Sequence, residues 1–210
     1  MKILIVAATR PEIAPLYLHF NLPQKDFVQT AEFDILVTGV GMTATAFALG
    51  QRLSSKYNLV LNLGIAGSFD QTIPLGSVLN IISDELAELG AEDKSGFIGI
   101  EELGLGKSKF STHHHLLNDL LNSLKKVSGI TVNRVHGNEK SITEVIRRLD
   151  PGTESMEGAA VFYCCEQTGT PCLQIRSISN YVEPRDKEGW KIGLAVKNLN
   201  DWAIRFLTNT

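Results

Sequence analysis

Short, continuous apolar runs separated by amphipathic stretches constrain this chain more than any other feature. Residues 2–8, 34–38, 59–63 and 173–178, with a fifth candidate at 77–83, are rich in Ile, Leu and Val and end in turn residues. Runs this short without polar alternation suit strands covered on both faces, since a half-exposed strand would alternate. Between them, residues 43–56 place Ala46, Leu49 and Leu53 on one face at helical spacing. This alternation predicts an α/β fold around a mixed, largely parallel central sheet. Toward the end, 156–168 and 191–208 read as helices, with Leu194, Leu199, Trp202 and Phe206 expected to seal the core. Residues 87–109, rich in Gly and acids, read as an irregular excursion, and 181–189 as a polar loop around Pro184.

A chain of 210 residues that is 43% hydrophobic fits a single domain, residues 1–210, with one continuous core. Its formal charge of -3 arises from 20 basic and 23 acidic residues that are intermixed. Such a balance lacks the basic surface that a polyanionic backbone needs, so no nucleic-acid partner is expected. Cys164, Cys165 and Cys172 are odd in number and fall in a helix followed by a strand, as free thiols in a reducing cytosol do. The apolar start is interrupted by Thr9, Arg10, Pro11 and Glu12 before an export signal is complete. No run is long enough to cross a bilayer, and a cytoplasmic protein with no membrane partner is expected.

In open α/β sheets, ligands bind beyond the carboxyl ends of the strands. Residues 9–12, 39–43, 64–68 and 179–181 occupy such places. Gly39-Val40-Gly41-Met42-Thr43-Ala44 matches G-x-G-x-x-A, in which glycines let the main chain approach a phosphate. The next strand ends at Gly64 without the acid that holds a cofactor ribose, and a tight strand-to-helix turn explains the same glycines. Gly64-Ile65-Ala66-Gly67 reads equally as a tight turn or as a surface for a flat ring or sugar. Glu157 opens an otherwise apolar helix, where a carboxylate needs a partner, a ligand or the helix dipole. Asn180 can donate and accept at the edge of a heterocycle, or can simply form a turn. His113, His114 and His115 are consecutive, so their side chains diverge, and no nearby acid pair completes a metal site; a loop is expected there.

Taken in order, these segments resemble the nucleoside phosphorylase and nucleosidase superfamily, particularly its methylthioadenosine/S-adenosylhomocysteine nucleosidase branch. The likeness spans nearly the whole chain. It rests on Glu12, Gly39-x-Gly41, Gly64-Ile65-Ala66-Gly67, Ser83-Asp84-Glu85, Ser155-Met156-Glu157 and Arg176-Ser177-Ile178-Ser179-Asn180. It implies a single-domain, three-layer α/β fold, a purine nucleoside as substrate, no cofactor, and a homodimer or higher homo-oligomer. It also implies that Glu12 activates the attacking water, that Glu157 binds ribose hydroxyls and that Met156 packs by the sugar. Ala66, Gly67, Ser155, Ser179 and Arg176 follow as further substrate-binding positions.

The purine-binding aspartate of the nucleosidases falls at Asn180. A protonated aspartate suits a 6-aminopurine, whereas an asparagine offers N–H to a 6-oxo group and a carbonyl to a protonated N7, which predicts hypoxanthine or guanine. Among members with this change the sequence is similar to futalosine hydrolases. The similarity runs through His136-Gly137-Asn138-Glu139-Lys140-Ser141, Ser155-Met156-Glu157-Gly158-Ala159-Ala160 and Ser179-Asn180-Tyr181-Val182-Glu183-Pro184-Arg185-Asp186. This resemblance implies hydrolysis of futalosine to hypoxanthine and dehypoxanthine futalosine, in menaquinone biosynthesis. The carboxylate on the 5′ side of that substrate calls for a cation, for which Lys140 and Arg10 are the candidates. Action on methylthioadenosine or inosine, phosphorolysis, and non-catalytic purine sensing are the competing readings.

Overall fold

Alternate residues of the first apolar run serve two different cores. Strand β1 (Ile3–Ala7) sends Ile3, Ile5 and Ala7 to one side and Leu4 and Val6 to the other, the period of two that a strand buried on both faces requires. The computed structural model describes residues 1–94, 96–114, 116–185 and 188–209. After β1 come a 3-10 turn at Arg10–Ile13, α1 (Ala14–His19), β2 (Phe27–Gln29), β3 (Phe33–Val37), α2 (Met42–Arg52) and β4 (Leu59–Ser68). The middle of the chain forms β5 (Val78–Leu86), the hairpin β6 (Gly90–Asp93) and β7 (Gly96–Gly99), β8 (Lys109–Ser111), α3 (Asp119–Asn122) and β9 (Lys125–Thr131). The last third adds α4 (Glu139–Leu149), β10 (Thr153–Ser155), α5 (Gly158–Thr168), β11 (Cys172–Tyr181) and α6 (Ile192–Thr208).

The main sheet runs β10-β9-β5-β11-β4-β1-β3-β2, with β8 beside β5. It is mixed: β1 lies parallel to β3 and β4, β11 parallel to β4, and β9 parallel to β5 and β10, while β5 is antiparallel to β11. Because β10 also pairs antiparallel with β4, that half of the sheet curls round and closes on itself. Helices α1 and α6 bury Leu16, Tyr17, Leu199, Trp202 and Phe206 against one face. On the other face α2 and α5 contribute Leu49, Ala159, Val161 and Phe162. The three-layer α/β architecture follows.

Several expectations are corrected. Strands β4 and β11 continue to Ser68 and Tyr181, so Gly64-Ile65-Ala66-Gly67 lies inside a strand and is not a turn. Apolarity stops earlier because the far ends wall a cavity instead of a core, yet the backbone ladder needs no apolar side chains to persist. Residues 87–109 are not wholly irregular, since they contain the β6–β7 hairpin. Leu194 is 44% exposed and lies over Gly76 instead of sealing the core. His113 bridges to Cys172, and His115 lies outside the described residues. All three cysteines are free, and among the described residues no helix is long and apolar enough to cross a membrane.

One polar cluster anchors the edge of the sheet. Asp34, fully buried in β3, accepts from Tyr57 Oη at 2.7 Å and Lys56 Nζ at 2.9 Å, and its other oxygen lies 2.6 Å from Lys2 Nζ. Burial pushes this carboxyl up, but hydrogen bonds from Lys2, Lys56 and Tyr57 outweigh it and hold it well below the usual carboxylate range. A depressed folded value stabilises the protein above the unfolded value and loses that contribution as pH falls. Asp34→Ala is expected to cost about 3 kcal/mol near pH 7. Urea unfolding should show the gap to the parent protein narrowing as the pH is lowered below 3.8, the group's ordinary value.

Candidate active site

The ends of β1, β4 and β11, the turn after β3 and the segment between β10 and α5 open onto one cavity of about 440 Å³. Ala8, Thr9, Pro11 and Glu12 line it from beyond β1, Val40 from the glycine turn, Ile65, Ala66 and Gly67 from β4, and Ser179 and Asn180 from β11. Glu154, Ser155, Met156 and Glu157 form the facing wall with Val135 and His136. Arg185, Trp190, Ile192 and Val196 complete it.

Glu12 is held by its surroundings before any ligand arrives. Pro11 lies in the first half of the 3-10 turn that brings the side chain back onto Thr9, whose N–H and hydroxyl donate to Oε2 at 2.9 and 2.8 Å. The N–H of Ile65 in β4 donates to Oε1 at 3.2 Å. Below it, Arg176 of β11 is only 1% exposed and passes so close to Gly64 that a Cβ there would lie 1.9 Å from Nη1. The same Cβ would lie 3.1 Å from Glu12 Oε1, so glycine at this point leaves room for both side chains.

Glu157 stands at the N-cap of α5, 8% exposed, and its Oε1 accepts the Gly41 N–H at 2.9 Å. Gly41 has φ +94 and Gly39 φ +88, so the glycine turn uses its left-handed backbone to present an amide to this carboxylate. Burial pushes the Glu157 carboxyl up, the Arg176 charge and the Gly41 amide pull it down, and the charge of Glu12 adds to the upward shift. The start of α5 is itself fastened to the sheet: Ala159 N–H donates to Thr131 Oγ1 at 2.7 Å, and that hydroxyl donates to Asp84 Oδ1 at 2.8 Å. Asp84 also accepts from Gln174 Nε2 at 2.7 Å.

On β11, the Ser179 hydroxyl donates to Asn180 Oδ1 at 2.8 Å, and Asn180 Nδ2 donates to the Tyr181 carbonyl at 2.9 Å. One N–H and one lone pair of the amide remain for a ligand, with the amide orientation set by these two bonds. Gly67 lies beside it, a Cβ there falling 3.2 Å from Asn180 Nδ2. Across Gly67, the Glu154 carboxylate accepts the His136 backbone N–H at 2.9 Å and meets His136 Nδ1 with its other oxygen.

A family model, described as the phosphorylase superfamily, matches residues 2–208. The chain belongs to the phosphorylase superfamily. It is 31% identical to the futalosine hydrolase of Streptomyces coelicolor over 183 residues, covering 80% of this chain and 76% of that one. It is 28% identical to the 5′-methylthioadenosine/S-adenosylhomocysteine nucleosidase of Shewanella putrefaciens, covering 86% of both chains. The native structure of the futalosine hydrolase of Helicobacter pylori superposes with a TM-score of 0.80 at 18% identity, over 100% of this chain and 98% of that one.

Within this superfamily member, Glu12, Glu157, Asn180, Ala66, Gly67, Ser155, Met156 and Ser179 all reach the same cavity wall. Arg176 is among the expected substrate contacts but lies buried behind the wall. Lys140 is a correction: on the first turn of α4 it borders a shallow surface with Glu139, Thr143, Glu144 and Arg147, away from this cavity. Arg10 is likewise turned outward, toward Asp26 and the Gln24 carbonyl. Among the described residues, the Lys or Arg side chain that lines the cavity is Arg185, whose guanidinium lies 5.2 Å from the centre of the Trp190 ring. It occurs in the loop whose Asp186, quoted above for its resemblance, lies with Lys187 outside the described residues. His136, Glu154 and Trp190 carried no assignment from sequence, and periodicity offers none, because each sits in or beside a short irregular segment.

Burial pushes Asp84 up to about 6 from an ordinary 3.8, against hydrogen bonds from Gln174 and Thr131 and the charge of Arg176. The folded state therefore binds this proton more tightly than the unfolded one, so its contribution is complete below 3.8 and is lost as pH rises through about 6. Glu157, also shifted upward, acts with the same sign. Asp84→Asn is expected to flatten part of the decline in melting temperature across that interval, which calorimetry at several pH values will register.

Proposed function

We propose that this chain is an N-glycosyl hydrolase that cleaves futalosine, releasing hypoxanthine and dehypoxanthine futalosine. The observation that carries the reading is the convergence of Glu12, Glu157 and Asn180, far apart in sequence, on one cavity. Glycosidic cleavage builds positive charge on the ribose, so it needs anionic groups near the sugar, a positioned water and help for the departing base. Glu12, oriented by Thr9 and Ile65, is the general base toward water. Glu157, fixed by Gly41, holds the ribose hydroxyls and stabilises the developing charge. Asn180, fixed by Ser179, presents its remaining N–H to a 6-oxopurine, whose anion delocalises charge onto the 6-oxygen and leaves more readily than adenine. Ala66, Gly67, Ser155 and Met156 shape the floor under base and sugar.

The carboxylate of the 5′ substituent meets Arg185, with Trp190, Ile192 and Val196 covering its aromatic ketone. Phosphorolysis lacks support because Arg10 faces Asp26 and no cluster of cations surrounds Glu12 among the described cavity residues. The similarity to a methylthioadenosine nucleosidase keeps a 6-aminopurine substrate as the second reading, and one assay separates them. Chromatography of futalosine, inosine and methylthioadenosine in phosphate-free buffer should show futalosine consumed fastest and hypoxanthine released. No turnover of futalosine, or a requirement for phosphate, overturns the proposal.

Glu12→Gln keeps the shape of the side chain but removes the base, so kcat should fall by about 100-fold or more with KM little changed. Arg185→Ala is expected to raise KM for futalosine about tenfold while leaving inosine unaffected, the loss typical of a charge-assisted hydrogen bond. Lys140→Ala should alter neither.

A further inference from the structure

Helix α5 begins without help from its own N-cap side chain. Glu157 stands at that position, where a side-chain oxygen ordinarily accepts the second or third amide of the helix, yet it makes no such bond. Its carboxylate accepts the Gly41 N–H instead and lines the cavity. The first amides of the helix are satisfied from elsewhere: Gly158 N–H donates to Ser155 Oγ at 3.3 Å, and Ala159 N–H to Thr131 Oγ1, at the end of β9, at 2.7 Å. A hydroxyl has one proton and turns to place it. Asp84 Oδ1, 2.8 Å away on β5, takes that proton and so leaves a lone pair of Thr131 facing Ala159. The seat is closely built, since Asp84 and Thr131 are both buried and a Cβ at Gly129 or Gly158 would fall 2.9 or 2.1 Å from Asp84 Oδ2. Glycine at those two places lets β9 and the start of α5 close onto the carboxyl group.

We propose that Asp84 is a positioning residue for Glu157: by holding the Thr131 hydroxyl it caps α5 from the sheet, which releases the Glu157 carboxylate from capping and leaves it free to serve in the cavity. The consequence for a bound sugar rests on the reading of the cavity as a purine nucleoside site. Without the Thr131 oxygen, the Ala159 N–H is a buried donor with no acceptor, a costly state. Glu157 occupies the position that ordinarily caps this amide, so its carboxylate turns from Gly41 back onto its own helix, and the cavity loses the anion that faces the sugar.

The Gly41 amide reports where Glu157 points, in the unliganded protein, by proton–nitrogen NMR. Glu157→Ala marks the resonance of that amide without its acceptor. Thr131→Val and Asp84→Leu should move the Gly41 resonance toward that mark and speed its exchange with solvent, while the Ala159 amide stays protected. Thr131→Ser and Asp84→Asn should stay near the parent position. Serine keeps the hydroxyl; asparagine keeps an oxygen for it, and Gln174 can turn its unpartnered Oε1 to the new amide. A Gly41 resonance unmoved in Thr131→Val overturns the proposal, as does one that moves there but not in folded Asp84→Leu, or that moves equally in Thr131→Ser. Thr131→Val, nearly identical in outline, decides alone if Asp84→Leu does not fold. Calorimetry tests the sugar separately, in the Glu12→Gln background where turnover is slowed. Inosine should bind about tenfold more tightly than 2′-deoxyinosine, a preference that Thr131→Val loses. No such preference before the Thr131 change would overturn the ribose role of Glu157, whereas the capping is decided by Gly41 alone.

Discussion

The parallel pairing of β4 with β11 continues past the apolar part of both strands, and the site depends on that continuation. It brings the Ile65 amide to Glu12, runs Arg176 alongside Gly64, and sets Gly67 beside Asn180. If either strand ended where its apolar residues end, those three relationships would have no common frame. Ladder hydrogen bonds are indifferent to side-chain polarity, so a strand can leave the core and become a cavity wall without losing its geometry. Gly64 and Gly67 serve this arrangement by absence: one admits Arg176 and Glu12, the other lets Val182 and Asn180 pack against the main chain of β4.

Electrostatics then distinguishes the acids. Asp34 is buried at the sheet edge but surrounded by Lys2, Lys56 and Tyr57, so it is a structural anion. Asp84 and Glu157 are buried with fewer compensating donors and are pushed up, near the single guanidinium of Arg176. Between them, Thr131 ties Asp84 to the amide of Ala159 and thereby fixes where α5 begins. The carboxylate at the head of that helix is consequently placed by the sheet as much as by its own helix, and the glycine turn after β3 supplies the amide it accepts. A motif that fits a phosphate thus binds a side-chain carboxylate of the same chain, through the same property of exposed amides at φ-positive glycines.

The apolar period made much of the architecture legible: β1, β3, α2, α5 and α6 fall within a few residues of where hydrophobic spacing puts them. The short pieces β2, β8, β10, α1 and α3, and the polar helix α4, escaped because their residues pack on only one side or on neighbours distant in sequence. Residue type could nominate Glu157, an acid at the head of an apolar helix, whereas Glu12 and Asn180 acquired roles only through the family resemblance. Residue type could not choose among surface cations: Lys140 and Arg10 lie away from the cavity, and the loop residue Arg185 lines it.

The amino-acid sequence by itself determined which segments must be strands and helices, which ends of the strands are polar, and which side chains are too costly to bury without a purpose. Only the tertiary structure decided which of those side chains share a cavity and in what order around it. Periodicity reports the environment of a residue along its own element, whereas the juxtaposition of Glu154, Gly67 and Asn180 is a matter of register between three strands that are not neighbours in sequence. That register is set by backbone hydrogen bonding and the packing of α5 and α6 on opposite faces, neither of which is written in any local stretch of the chain.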